Sequence, residues 1–423
     1  MPGKMMERPS QKAAEFRVIP SFRQIEKNSA SRSLTALVRM AVLGACLLAA
    51  LSGCSKLRPK PAEQFVYVTA KQTYLRDRVA AVSNRTGTVN NGDKLLILEK
   101  GRRFYRVQTS KGEQGWIDEK AVATQDIFDH FEALRQQHQN DPTAANAVVR
   151  DDVYLHSSPG RDTERLFRLS EGEKLKLLRR ATLPKPLSPG QRVPKPATST
   201  ENAKPGTKDV AQPDMPEPPV MEDWWLVRDS KGDTGWLYSR MMDVEVPDAI
   251  GRYSEGQRIV GAYVLTTVND PEAQQDEKNI PIYVTVLSPY KAGLPYDFDQ
   301  VRVFTWNIKK HRYETGFRER NIEGYLPVEI KMAADPNSKT PTGMVAAPTF
   351  SYRVLSADAP VVVPDPVTGA VVPGKTNLKV YRLEGNLVRR VIAPGTAAPQ
   401  DAHPEPVADK SKKKKLESKK RRR

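Results

Sequence analysis

The chain has 423 residues, a formal net charge of +17 and two cysteines, Cys46 and Cys54. The length allows two or three domains at roughly 100–200 residues each, and with both cysteines near the amino end it excludes a disulfide framework, a thiol nucleophile or a cysteine-built metal site in the rest. The charge lies at the ends: residues 1–53 hold eight Lys/Arg against three Glu and Lys410–Arg423 hold ten against Glu417, so the body between them is nearly balanced.

In chain order, the first feature is Met40–Cys54, MAVLGACLLAALSGC. Arg32 and Arg39 supply a positive flank, Met40–Leu51 a short apolar core, and Ser52-Gly53 the small residues a signal peptidase accepts. The run is too short to span a bilayer, which takes about 20 residues. It resembles the lipobox of bacterial lipoproteins. That resemblance implies a diacylglycerol on the Cys54 thiol, cleavage just before it, and often acylation of the new amino terminus; more than one acyl chain gives a stable membrane anchor. Residues 1–53 are then the signal peptide and 54–64 a tether. Residues 1–39 exceed an ordinary leading region, which points to an internal start such as Met6 or Met40. Ser55 in place of Asp favours the periplasmic face of the outer membrane if the host has two membranes.

Next comes an internal repeat. Phe104–Ile117 (FYRVQTSKGEQGWI) lies over Trp224–Leu237 (WWLVRDSKGDTGWL) without a gap. Each is a strand opened by two aromatics, a Ser-Lys-Gly turn in which glycine takes the positive backbone angle, and a second strand opened by Gly-Trp. Upstream, Tyr74-Leu75-Arg76 matches Tyr154-Leu155-His156, and Asn91–Leu95 matches Ser170–Leu175. The order of these pieces is similar to the bacterial SH3-type (SH3b) domain, over residues 65–124 and 148–246. The second copy has about forty residues inserted between Leu175 and Trp225. That insert, 181–222, contains ten prolines and is expected to be a disordered or polyproline loop.

Between the copies, residues 125–147 form a connector in which Ile127, Phe128, Phe131 and Leu134 make a helical stripe over Gln125–Asn140. From 256 to 394 runs of β-formers predict eight strands: Arg258–Val268, Ile282–Leu287, Gln300–Trp306, Tyr313–Arg318, Tyr325–Ile330, Phe350–Leu355, Leu378–Leu383 and Leu387–Ile392. Hairpin turns are expected at Lys309-Lys310-His311 and Glu384-Gly385-Asn386. The fold class expected is mainly β: two small SH3-like barrels joined by a short helix, then an all-β sandwich or barrel of no recognised family. Residues 395–423 are a disordered basic tail.

Chemistry is scarce. His130, His138, His156, His311 and His403 show no metal-ligand spacing, and no phosphate loop, nucleophile elbow or His-Glu-x-x-His occurs. The acid pairs Asp151-Asp152 and Asp297/Asp299 read as solvated loop carboxylates. No catalytic residue, metal or cofactor is expected. The repeat aromatics Tyr74, Tyr105, Trp116, Tyr154, Trp225 and Trp236 are the candidate ligand-binding residues, since the resemblance implies a groove for a cell-wall sugar or peptide. Small barrels also need aromatics inside, which is the expectation for Trp116 and Trp236, while Tyr74 and Trp225 are expected to stay partly exposed. The function expected is a lipid-anchored envelope protein that binds peptidoglycan or a cell-wall peptide. Its alternatives are a cell-wall hydrolase or transferase targeted by the repeats, and a scaffold for a partner envelope protein. The Lys410–Arg423 tail would meet anionic lipid or polymer at about 1 kcal/mol per basic residue; export argues against nucleic acid.

Overall fold

The computed structural model of the protein describes residues 63–80, 82–186, 219–274 and 276–404. Cys54, the middle of the proline-rich insert and the Lys410–Arg423 tail lie outside the described residues. What is described is mainly β, in three seven-stranded antiparallel sheets.

The first sheet comprises β1 (Phe65–Val68), β2 (Gln72–Arg76), β3 (Arg85–Asn90), β4 (Lys94–Lys100), β5 (Phe104–Gln108), β6 (Gln114–Asp118) and β7 (Val122–Thr124). The second comprises β8 (Ala145–Val149), β9 (Val153–His156), β10 (Arg165–Leu169), β11 (Lys174–Pro184), β12 (Met221–Arg228), β13 (Thr234–Tyr238) and β14 (Met242–Val244). Their spatial orders, β3-β2-β6-β5-β4-β1-β7 and β10-β9-β13-β12-β11-β8-β14, coincide strand for strand. The repeat in sequence is thus a repeat in topology. Alternation is plain in β2, where Leu75 is fully buried between half-buried Tyr74 and exposed Arg76.

The Gly-Trp step has a steric cause. A Cβ on Gly115 would sit 2.7 Å from the Leu75 Cβ and 3.0 Å from the Arg76 carbonyl oxygen, and one on Gly235 would meet Leu155 and Phe131 at 2.9 Å. Only glycine lets β6 close on β2. That closure sets Trp116 opposite Arg76, and Trp236 opposite His156.

Helix α1 (Gln125–Gln137) follows β7 directly. Its apolar stripe touches both repeats: Phe128 stacks on Tyr67 at 3.9 Å, and Phe131 meets Phe167 edge-on at 5.4 Å. Asn91 adds a second tie. Its amide donates to the Val68, Thr69 and Leu166 carbonyls, and its oxygen accepts from the Arg168 N–H at 2.8 Å. One side chain therefore bonds the backbones of both repeats.

The insert is shorter than read. β11 and β12 pair as far as Pro184 and Met221, so residues 181–184 and 221–222 are ladder, not loop. Their polar side chains have tertiary partners: Thr182 donates to Asp223 at 2.8 Å, and Glu222 takes Arg161 in a fork.

The third sheet is one up-and-down meander, not two facing sheets. Its strands in spatial order are β15 (Arg258–Asn269), β16 (Asn279–Ser288), β17 (Phe298–Asn307), β18 (Arg312–Ala333), β19 (Ala347–Leu355), β20 (Thr376–Glu384) and β21 (Leu387–Arg390). It encloses a core of Phe298, Val303, Phe350, Tyr352 and Tyr381. The two strands expected at 313–318 and 325–330 are the single strand β18. Its polar middle reads as a break in sequence, yet Glu319 there accepts hydrogen bonds from Tyr352 and Tyr381 and pairs with Lys379. Turns fall at His311 and Gly385, both with positive φ. Among the described residues no helix is long and apolar enough to cross a membrane.

Candidate binding site

The outward faces of β2 and β6 build the site. Tyr74 and Arg76 point away from the Leu75 side of β2, Trp116 projects beside them from β6, and Phe104 follows from β5. Thr73, Tyr74, Arg76, Arg78, Phe104, Trp116 and Asp118 line a cavity of about 580 Å³. The Arg85 guanidinium lies 3.8 Å from the Tyr74 ring centre, a cation–π contact that steadies the ring. Arg76 donates to Ser83 at 2.8 Å, Arg78 stands 3.9 Å from Asp77, and Asp118 accepts the Lys120 N–H at 2.9 Å. The groove thus combines flat aromatic surface with charges of both signs.

Asp118 is shared with a second cavity, of about 630 Å³, lined also by Lys120, Ile127, Tyr154, Glu164 and Arg165. The first cavity lies on the first repeat alone, and the second has walls from both repeats, which the Asn91 clasp and α1 tie together.

The second repeat treats the matching place differently. Trp224, the counterpart of Phe104, is 2% exposed and packs edge-on to His156 at 5.1 Å. Tyr238 stands where the first repeat has Asp118, and Arg161, forked on Glu222, lies 5.1 Å from the Tyr238 ring. This repeat fills its own groove with its own side chains.

Of the six aromatics singled out in sequence, Tyr74 and Trp116 share the first cavity and Tyr154 lines the adjoining one. The other three lie apart. Tyr105 borders a separate cavity with Phe65 and Lys100, and its hydroxyl donates to Glu119 at 3.1 Å; burial and that carboxylate raise its pKa. Trp225 is 6% exposed, contrary to the exposure expected, because it packs into the core of the second repeat with Leu177, Val227, Leu237 and Met242. Trp116 and Trp236 are half-buried and not core residues. Arg76, Arg78 and Asp118 were missed as site residues. The only sequence signal for them was misalignment of chemistry within the repeat, Arg76 against His156 and Asp118 against Tyr238. The acid pairs are occupied structurally: Asp297 holds Arg180 at 2.8 Å, and Asp152 pairs with Arg168. No cluster of three or more metal-ligating side chains exists among the described residues.

Burial, with help from the Arg165 charge, lowers the His156 pKa from 6.5 to about 4. The folded state therefore refuses a proton that the unfolded chain binds below about 6.5, and stability falls as pH drops from there toward 4. At pH 4.5 the wild type should have lost about 2–3 kcal/mol more than His156→Gln, relative to pH 7, in urea titrations. Equal losses would remove His156 as the cause. The comparison with the variant is needed because Asp233, pushed up to about 6 by burial and Asp229, acts in the opposite sense: it takes its proton more readily folded, adding stability as pH falls below 6.

No protein-family model matches this chain, and no curated protein matches it. Four solved chains match. One, titled as the structure of NlpC2 from Trichomonas vaginalis, is 7% identical over 64% of this chain and 100% of its own, with a TM-score of 0.14. A likeness at that level carries no argument about fold or function.

Proposed function

We propose that the protein is a lipid-anchored cell-envelope binding protein. In this reading the first two sheets are SH3b-type barrels joined by α1, Cys54 carries the lipid, and the ligand is peptidoglycan or a cell-wall peptide. The observation that carries it is the meeting of Tyr74 and Trp116 in one cavity, which shares Asp118 with the cavity that Tyr154 lines. Ring faces suit the apolar faces of sugars and peptide side chains, while Arg76, Arg78 and Asp118 suit the carboxylates and amines of a peptide stem. The anchor and the Lys410–Arg423 tail would hold the groove close to an anionic surface, favouring the inner face of an outer membrane.

The test is co-sedimentation of the full chain with purified sacculi. Wild type is expected to bind. Tyr74→Ala and Trp116→Ala should each weaken binding about 10-fold or more, the size of a central aromatic anchor, and Trp236→Ala much less. Circular dichroism confirms that the variants stay folded. Protein that remains in solution at low salt, or aromatic variants that bind like wild type, would refute the reading.

A further inference from the structure

The end of the β15–β16 ladder holds two polar atoms with nothing to bind. Arg258 opens β15, Ser288 closes β16, and the two are register partners, so their side chains leave the sheet on one face. Arg258 Nε and Ser288 Oγ are both buried without a hydrogen-bond partner. Among the described residues the Arg258 guanidinium also makes no ion pair. Arg258 as a whole is half-buried; buried polar atoms are nearly always satisfied, charged ones above all, and the more deeply buried arginines obey this. Arg180 pairs with Asp297, and Arg382 donates to the Ala333 and Val345 carbonyls. Arg302, whose Nε is also unpaired, still binds Tyr253 and Glu255 through its other nitrogens.

Arg258 lines a small cavity between the second repeat and the third sheet. Leu177, Trp225, Met242 and Val260 form its apolar walls, with Ser239 and Asp243 at the polar edge. Its volume is about 50 Å³, where one water needs roughly 10–15 Å³. Asp243 is not the missing counterion, because Arg150 takes both of its oxygens. Asp223, whose charge acts on Arg258, is already held by Thr182, the Gly293 N–H and Arg180.

We propose that this cavity binds a compact carboxylate, its oxygens on Arg258 and its apolar end against Leu177, Trp225 and Met242. A guanidinium fork matches two carboxylate oxygens. Phosphate fits less well, since its further oxygens would face apolar walls. A free short-chain acid and the carboxyl terminus of a peptide share this chemistry. Occupancy would supply the negative charge that the junction lacks, and so tie the second repeat to the third sheet.

Thermal unfolding of the full chain tests this, with propionate titrated against chloride at constant ionic strength. The midpoint is expected to rise saturably with propionate and to respond less to phosphate. Arg258→Met should melt no lower than wild type without ligand and lose the propionate response, while Lys331→Met, at an exposed site on β18, keeps it. N-acetyl-alanyl-alanine with a free carboxyl, compared with its amide, separates the sources: a stronger response than to propionate assigns a peptide terminus, a weaker one a free acid. Identical wild-type midpoints in propionate and chloride would overturn the proposal. So would a phosphate response equal to that of propionate, or an undiminished response in R258M. Should R258M not fold, Trp225 fluorescence, isolated by difference from Trp225→Phe, replaces it, and the absence of a saturable change overturns the proposal equally.

Discussion

Replacing Arg180 by methionine is expected to lower the free energy of unfolding by about 3–5 kcal/mol, the cost of leaving buried charge uncompensated. Arg180 is 5% exposed at the side chain, and its guanidinium uses all its nitrogens. Nε binds Asp297 at 2.8 Å, Nη2 donates to the Leu294 and Tyr296 carbonyls at 3.0 and 2.9 Å, and Nη1 reaches Thr182 at 3.2 Å and Asp223 at 3.5 Å. Asp297 also accepts the Leu326 N–H at 3.0 Å. A strand of the second repeat is thereby fastened to the loop and strand that begin the far half of the third sheet. Lysine cannot reproduce the fork, so Arg180→Lys should recover little. Arg180→Met with Asp297→Asn should regain part of the loss, since it removes one stranded carboxylate. Denaturant unfolding measures all three, and a loss below about 1 kcal/mol for R180M, the scale of ordinary substitutions, would mean that the junction does not depend on this residue.

The second large effect is expected at Lys379, whose side chain is 3% exposed inside the third sheet. Its ammonium pairs with Glu319 and, at 2.6 Å, with Asp401. Glu319 accepts in turn from the Tyr381 hydroxyl at 2.7 Å and from Tyr352; burial first, and the Glu319 charge second, raise the pKa of both tyrosines. Lys379→Met should cost about 3 kcal/mol or more. It should also release the segment that Asp401 pins. Ala402 donates to the Leu355 carbonyl at 2.9 Å, and Ala357 to that of Gln400 at 3.1 Å, so amide exchange at 357 and 402 should accelerate beyond the global change. Lys379→Met with Glu319→Gln should restore part of the stability. If exchange at those two amides merely tracks global unfolding, the cation does not pin the segment.

The residues that define the repeat were legible because their causes are local. Gly112 and Gly232 take positive φ in the same turn, Gly115 and Gly235 permit the same close approach, and the β2 and β6 alternation places Tyr74 and Trp116 on one face. The stripe on α1 was legible for the same reason. Trp225 shows the limit: its position in the repeat says that it lies on β12, but its burial depends on Leu155, Leu177 and Leu237, which other strands of the repeat bring to it. Polar residues misled in the same way. Glu319, Thr182 and Glu222 suggest loops in a one-dimensional reading, and each lies in a strand where a distant partner satisfies it.

From sequence alone came the β-rich class, the internal repeat, the helix between its copies and the aromatic candidates, since each depends on neighbours one turn or one hairpin away. Only the folded chain decided which repeat keeps an open groove, that Asp118 also lines a cavity with walls from the second repeat, and that Arg258 Nε is buried without a partner. Those features arise where strands far apart in sequence meet, and burial and pairing are properties of that meeting.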